Sequence, residues 1–197
     1  MPKADRTPDP IRVRPRSTRL LTVEDLAVFP DDLPSGPVRY ELYDGHIQIL
    51  HPHVFEHGRW HANVLALLGI HGEGMGLGQG RGTVGIILRR NPDRLVAPDA
   101  CFLTEDQFPL KKSTDDYLET MPKLVVEVRG YHETLGELRL KAAEYLAAGV
   151  EMVWVLDDTD FTITAYSARH TVIFAPTDTV TAPFLPGFNV PVADFFA

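Results

Sequence analysis

Two acids stand where acids cost most. Glu127 interrupts the apolar run of Leu124, Val125, Val126 and Val128, and Asp99 interrupts a second run of Val96, Ala97, Ala100, Cys101, Phe102 and Leu103. An ionised carboxylate taken out of water costs several kcal/mol unless a cation or several donors meet it. A candidate cation, Lys141, follows Glu127 in the next segment. Two carboxylates converging in a low-dielectric cleft repel each other, and either a proton on one of them or a divalent cation with oxygen ligands resolves the conflict. The cation is the favoured solution. Such an ion polarises a phosphodiester and lowers the pKa of a bound water, while a nearby ammonium orients that water or neutralises charge building on phosphorus.

The elements that must position these groups follow from local pattern. The β-branched run Leu124–Val128 lies between Pro122 and Gly130, which predicts a strand buried on both faces. After Gly130 the period changes, with Leu135, Leu138, Ala142, Tyr145 and Leu146 at helical spacing and Gly149 as a stop. At about 100° per residue Lys141 falls beside Leu138 and Tyr145, at the edge of the apolar stripe and aimed back at the sheet, whereas Glu137 and Glu144 turn toward solvent. Residues 83–90 and 94–103 flank a turn at Asn91-Pro92-Asp93 and read as an antiparallel pair. Pro98 removes a ladder donor within it and leaves Asp99 room to face a cleft. Arg39–Tyr43 and His46–Leu50 flank Asp44-Gly45, a strong hairpin signal. Glu41 then faces away from Leu42, as either an exposed strand residue or a member of the site.

Elsewhere, Trp60, Val64, Leu67, Leu68 and His71 predict an amphipathic helix over Phe55–His71. His53, His57 and His61 are four apart, a spacing able to chelate a transition metal on a continuous helix, but Pro52 keeps His53 outside it and a half-exposed polar face is the plainer reading. Glycine occupies every second position from Gly72 to Gly82, matching no phosphate-binding fingerprint, and is expected to be a flexible connection. Thr22 is placed to cap a short helix over 23–28, and 104–120 reads as an acidic lid or insertion. A strand over 151–157 and a hairpin over 161–166 and 171–175 complete the body, with Phe195 and Phe196 tucked against it.

A chain of 197 residues, 44% hydrophobic, sustains one domain over residues 18–197 after a Pro- and Arg-rich tail, 1–17, expected to be disordered. Cys101 is the single cysteine, which rules out an intramolecular disulfide and fits a reducing cytoplasm. No apolar run reaches membrane-spanning length, and the first residues lack a secretory h-region. A net charge of -8 argues against a general nucleic-acid-coating role, yet bound divalent ions can supply locally the charge that side chains lack.

Several short motifs occur in a telling order: Leu21-Thr22-Val23-Glu24-Asp25-Leu26, Tyr40-Glu41-Leu42-Tyr43-Asp44-Gly45, His57, Pro98-Asp99, Val126-Glu127-Val128, Lys141 with Tyr145, Ala148-Gly149-Val150, Val153-Trp154 and Leu185-Pro186-Gly187. In this the chain resembles the PD-(D/E)XK nuclease superfamily and, within it, the Uma-two family of restriction endonuclease-like proteins. The resemblance implies a mixed α/β fold, a restriction-endonuclease-like mixed β-sheet flanked by helices with additional antiparallel hairpins. It also implies a Mg2+ (or Mn2+) dependent endonuclease acting on DNA in the bacterial cytoplasm as a homodimer. Asp99 and Glu127 would be the metal ligands, Lys141 the catalytic lysine displaced onto the helix, and Glu41 and His57 would line the same cleft. Two positions depart from the pattern. Arg129 stands where the superfamily signature has lysine, and Gly130 where the family has serine. By parity Arg129 shares a strand face with Glu127 and is expected to pair with it or contact phosphate, though an arginine will not act as a base. The alternative is a catalytically inactive interaction or regulatory module on the same fold, in which Glu127 and Lys141 form a structural ion pair.

Overall fold

The computed structural model describes residues 19–30, 32–34, 36–50, 55–131 and 133–197; the tail expected over 1–17, and His53, lie outside them. In chain order the elements are β1 (Arg39–Tyr43), β2 (His46–Leu50), α1 (Phe55–His71), β3 (Gly78–Gly82), β4 (Ile86–Arg89), β5 (Arg94–Val96), β6 (Ala100–Thr104), β7 (Leu124–Val128), α2 (Leu135–Ala148), β8 (Met152–Asp157), β9 (Thr162–Ser167), β10 (Thr171–Phe174) and α3 (Val192–Phe195). The main sheet runs β10-β9-β8-β7-β6-β3, and a smaller one runs β2-β1-β5-β4. Only β7 and β8 are parallel within the main sheet, and α2 is the crossover between them.

Burial of every residue of β7 and β8 explains their unbroken apolar sequences, because both faces of the sheet are covered. Leu124, Val126 and Val128 pack with Trp60, Val64 and Leu68 of α1 and with Trp154, Phe188 and Phe195. Val125 packs on the opposite face with Val153, Val155, Leu138, Ala142 and Tyr145. Glu127 has the parity of Val125, so alternation turns it toward α2. That helix starts with a capping box between Thr134 and Glu137 and stops at Gly149, whose φ of 108° suits glycine. The hairpin β1–β2 turns at Asp44 and Gly45 with φ of 53° and 74°, the conformation an Asp-Gly turn provides.

Three expectations are corrected. The segment 94–103 is not one strand: Arg94–Val96 pairs with β4 and β1, whereas Ala100–Thr104 pairs with β3 and β7. The first ladder ends at Val96, the Ala97 N–H turns to the Glu41 carboxylate, Pro98 has no N–H to continue a ladder, and residues 97–99 step from the small sheet to the large one. Strand β4 correspondingly begins at Ile86 rather than at residue 83. The glycine run is not a flexible connection but a 3-10 turn, Glu73–Met75, and an edge strand paired from Gly78↔Thr104 to Gly82↔Ala100. Side chains there would crowd α1: a Cβ on Gly80 would lie 3.4 Å from the Leu68 Cβ, and one on Gly82 would lie 2.8 Å from the Leu65 Cδ1. Finally, the helix after Thr22 is a 3-10 helix, Glu24–Val28, and the capping runs in reverse. The Asp25 carboxylate reaches back to accept from Thr22 N at 2.8 Å and Thr22 Oγ1 at 3.2 Å. Residues 104–120 are largely irregular, with a 3-10 turn at Glu105–Gln107 held by a Thr104–Gln107 capping box.

Candidate active site

The step between the sheets delivers Asp99 to the end of β7. Its carboxylate Oδ2 accepts from Val128 N at 2.8 Å, which fixes the acid beside the strand that carries Glu127. His57, in the first turn of α1, closes the other side: its Nε2 lies 2.9 Å from the Val128 carbonyl and 3.5 Å from Asp99 Oδ2. Donation to that carbonyl requires the proton on Nε2. Burial works to lower the imidazole pKa, but Asp99 outweighs it and the net shift is upward.

Glu127 is 4% exposed and meets α2 directly. Lys141 Nζ lies 2.9 Å from Oε1, and the Tyr145 hydroxyl donates to the same oxygen at 2.5 Å. Glu41, also buried, stands on the far side of the ammonium, with Oε1 at 3.5 Å from Lys141 Nζ and accepting from Ala97 N at 2.9 Å. Glu41 is therefore not an exposed strand residue but is buried against Lys141. Burial pushes the Glu127 carboxyl up to about 7; Lys141 pulls against that rise, Asp99 and Glu41 add to it, and the Tyr145 hydroxyl opposes it. Burial alone would lower the Lys141 pKa, but the charges of Glu127 and Glu41 hold it well above its ordinary value. Lys141 is thus a permanent ammonium, suited to stabilising negative charge and not to abstracting a proton.

The donor set suits a hard divalent ion. Asp99 and Glu127 offer carboxylate oxygens, both donors to Glu127 fall on Oε1, and the cost of burying a charged Glu127, to which the charges of Asp99 and Glu41 add, is what a cation would offset. Among the described residues no group of three or more His, Cys, Asp or Glu side chains is arranged around an ion position, so water and phosphate oxygens would complete a shell begun by two acids. The histidine chelate is not formed by the described residues: His57 is committed to Val128 and Asp99, and His53 lies outside them.

Two further expectations fail. Arg129 does not pair with Glu127; it pairs with Asp157 at 2.9 Å and donates to Thr159 Oγ1 at 2.6 Å and the Glu133 carbonyl at 3.0 Å. Strand β7 ends at Val128, so strand parity no longer directs the next side chain. Glu144 is not simply solvated either, because Arg94 of β5 bonds it at 2.9 and 2.8 Å. Arg94 and the hydroxyl of Tyr145 are the groups that sequence reasoning missed. Tyr145 fitted the apolar stripe, and only Glu127, 18 residues earlier on β7, gives its hydroxyl a partner.

A mixed sheet flanked by helices, with α2 crossing between the parallel strands β7 and β8, is the architecture of the restriction-endonuclease-like class of α/β fold. The class is also found by comparison. Residues 26–193 match the Uma2 family, described as "Putative restriction endonuclease", and the chain belongs to that family. Among solved structures it is similar to one from Anabaena variabilis ATCC 29413, titled a "putative nuclease belonging to DUF820", at 15% identity and a TM-score of 0.71, covering 89% of this chain and 97% of the other. No curated protein matches this chain.

Proposed function

We propose that this protein is a divalent-metal-dependent endonuclease that hydrolyses DNA phosphodiester bonds, with Asp99 and Glu127 holding Mg2+ or Mn2+ and Lys141 as the catalytic ammonium. The observation that carries the proposal is that two buried acids, Asp99 and Glu127, meet at the end of β7 with the half-buried Lys141 of α2 bonded to Glu127. A metal ion held there would polarise the phosphodiester and lower the pKa of its bound water. Lys141, fixed between Glu127 and Glu41, offers charge to the phosphoryl oxygens. His57 holds the Val128 carbonyl and steadies Asp99, so it positions a ligand without touching substrate. Arg129 takes no part in the chemistry; it braces the ends of β7 and β8 through Asp157 and Thr159. One nuclease domain over residues 18–197, a cytoplasmic setting and a two-fold dimer for double-strand cutting belong to the same proposal. Among the described residues no helix is long and apolar enough to cross a membrane.

The test is cleavage of supercoiled plasmid and of linear duplex with Mg2+ or Mn2+, beside Asp99→Ala. The variant is expected to lose at least about a hundredfold in rate. If it hydrolyses any DNA substrate as fast as wild type, the assignment is wrong. The inactive-module alternative predicts no cleavage by either protein and no uptake of a divalent ion.

A further inference from the structure

Arg94 stands on β5, 4% exposed, and no step described above uses it. Its Nη1 donates to the carbonyls of Leu42 at 3.1 Å and Leu95 at 3.2 Å, and Nε and Nη2 converge on Glu144 Oε2 at 2.9 and 2.8 Å. The guanidinium also lies over the Tyr43 ring, 4.5 Å from its centroid. What links it to the cleft is Glu41: Arg94 Nη1 lies 3.7 Å from Glu41 Oε2, while Glu41 Oε1 faces Lys141. Charges therefore alternate from contact to contact: Glu144 of α2, Arg94 of β5, Glu41 of β1, Lys141 of α2 and Glu127 of β7.

Lys141 lies between two carboxylates, 2.9 Å from Glu127 and 3.5 Å from Glu41. Which one an ammonium follows depends on how far other cations have already neutralised each of them, since the attraction scales with the net charge it meets. Arg94 is the cation that faces Glu41 from the small sheet. We propose that Arg94 is a positioning residue for the cleft: by neutralising Glu41 from behind, it holds the Lys141 ammonium on Glu127 instead of letting it swing to Glu41. This rests on Lys141 being the cation of the active site, as proposed above, but the geometry can be tested without any cleavage.

Crystal structures of wild type, Arg94→Met and Arg94→Lys provide that test, together with the NMR signal of the Lys141 ammonium, assigned by its loss in Lys141→Met. In Arg94→Met the order of the two distances reverses, with Nζ within hydrogen-bond reach of Glu41 and away from Glu127, and the ammonium resonance shifts. Arg94→Lys keeps the charge without the planar fork and restores part of the wild-type position. A purely structural strut would lower stability and leave Lys141 on Glu127, and that outcome overturns the proposal. Where Arg94→Met does not fold, Glu144→Ala decides, because Glu144 is a third exposed and its removal leaves no acceptor there for Arg94. Freed from Glu144, Arg94 closes on Glu41 to a charge-assisted hydrogen bond of about 2.8 Å; an unchanged separation overturns the proposal equally. A protein that cuts no DNA would undo the nuclease assignment and leave these distances fully readable. A protein that does cut should lose about tenfold in kcat in Arg94→Met with KM near wild type, since Arg94 touches no substrate.

Discussion

At Glu127 one oxygen receives both Lys141 and Tyr145, yet burial and the charges of Asp99 and Glu41 still drive the carboxyl up to about 7. A pH dependence follows, and its sign is fixed. Below that value the acid is mostly protonated, and a cation that needs the carboxylate must expel the proton. Affinity for Mn2+ should therefore rise between about pH 6 and pH 8 and level off above, with more proton released per ion at the acid end. Calorimetry in buffers of different ionisation heat measures both quantities; a flat affinity across that range would place the ion elsewhere. Asp99, Glu127 and Lys141 were legible in the sequence because each breaks a local pattern: an acid in an apolar strand, or a lysine at the edge of a helical stripe. Arg94 was not. Its partners are distant in the chain: Glu41 meets it when β1 pairs with β5, and Glu144 when the small sheet docks on α2, so no local period records either contact. Arg129 was misplaced for a related reason, since alternation holds only while the strand lasts.

Among the elements, strand β7 and helix α2 could be read almost to the residue, because a doubly buried strand and a capped amphipathic helix both write their boundaries in sequence. The glycine run could not. Lack of side chains reads as freedom in isolation, whereas here it allows α1 to lie against an edge strand whose stability comes from its ladder to β6. Positions within the run should differ sharply in tolerance. A Cβ on Gly72 would fall 2.3 Å from Phe102 Cε2 and 2.6 Å from the Leu68 carbonyl, one a core ring and the other backbone. On Gly74 its nearest neighbour would be the Gly69 carbonyl at 3.6 Å, an ordinary contact. Gly72→Ala is expected to cost about 1–3 kcal/mol in urea unfolding, as overpacked cores do, and Gly74→Ala to stay within about 0.5 kcal/mol of wild type. Equal losses would mean that the run tolerates side chains uniformly, as a loose connection would. The break at Pro98 belongs to the same scale: the proline was visible, but the change of sheet it permits depends on which ladders lie on either side.

For the molecule as a whole, a net charge of -8 sets the terms of any contact with a polyanion. Phosphate contacts gain from cations that displace counterions, and this chain offers few in excess. Divalent ions at the acidic cleft would therefore contribute to substrate binding as well as to chemistry. Fluorescence anisotropy with duplex DNA should show binding at least about tenfold tighter in Ca2+, which supports ligation with little turnover, than in chelator; equal binding in both would separate DNA affinity from the cleft. The most direct test of the central claim is calorimetric titration of Mn2+ into metal-free protein, beside Asp99→Asn and Glu127→Gln. The account predicts uptake by wild type that each substitution abolishes, while circular dichroism shows both variants folded. Uptake that survives both substitutions would contradict it, because the ion would then owe nothing to the two buried acids around which the cleft is built.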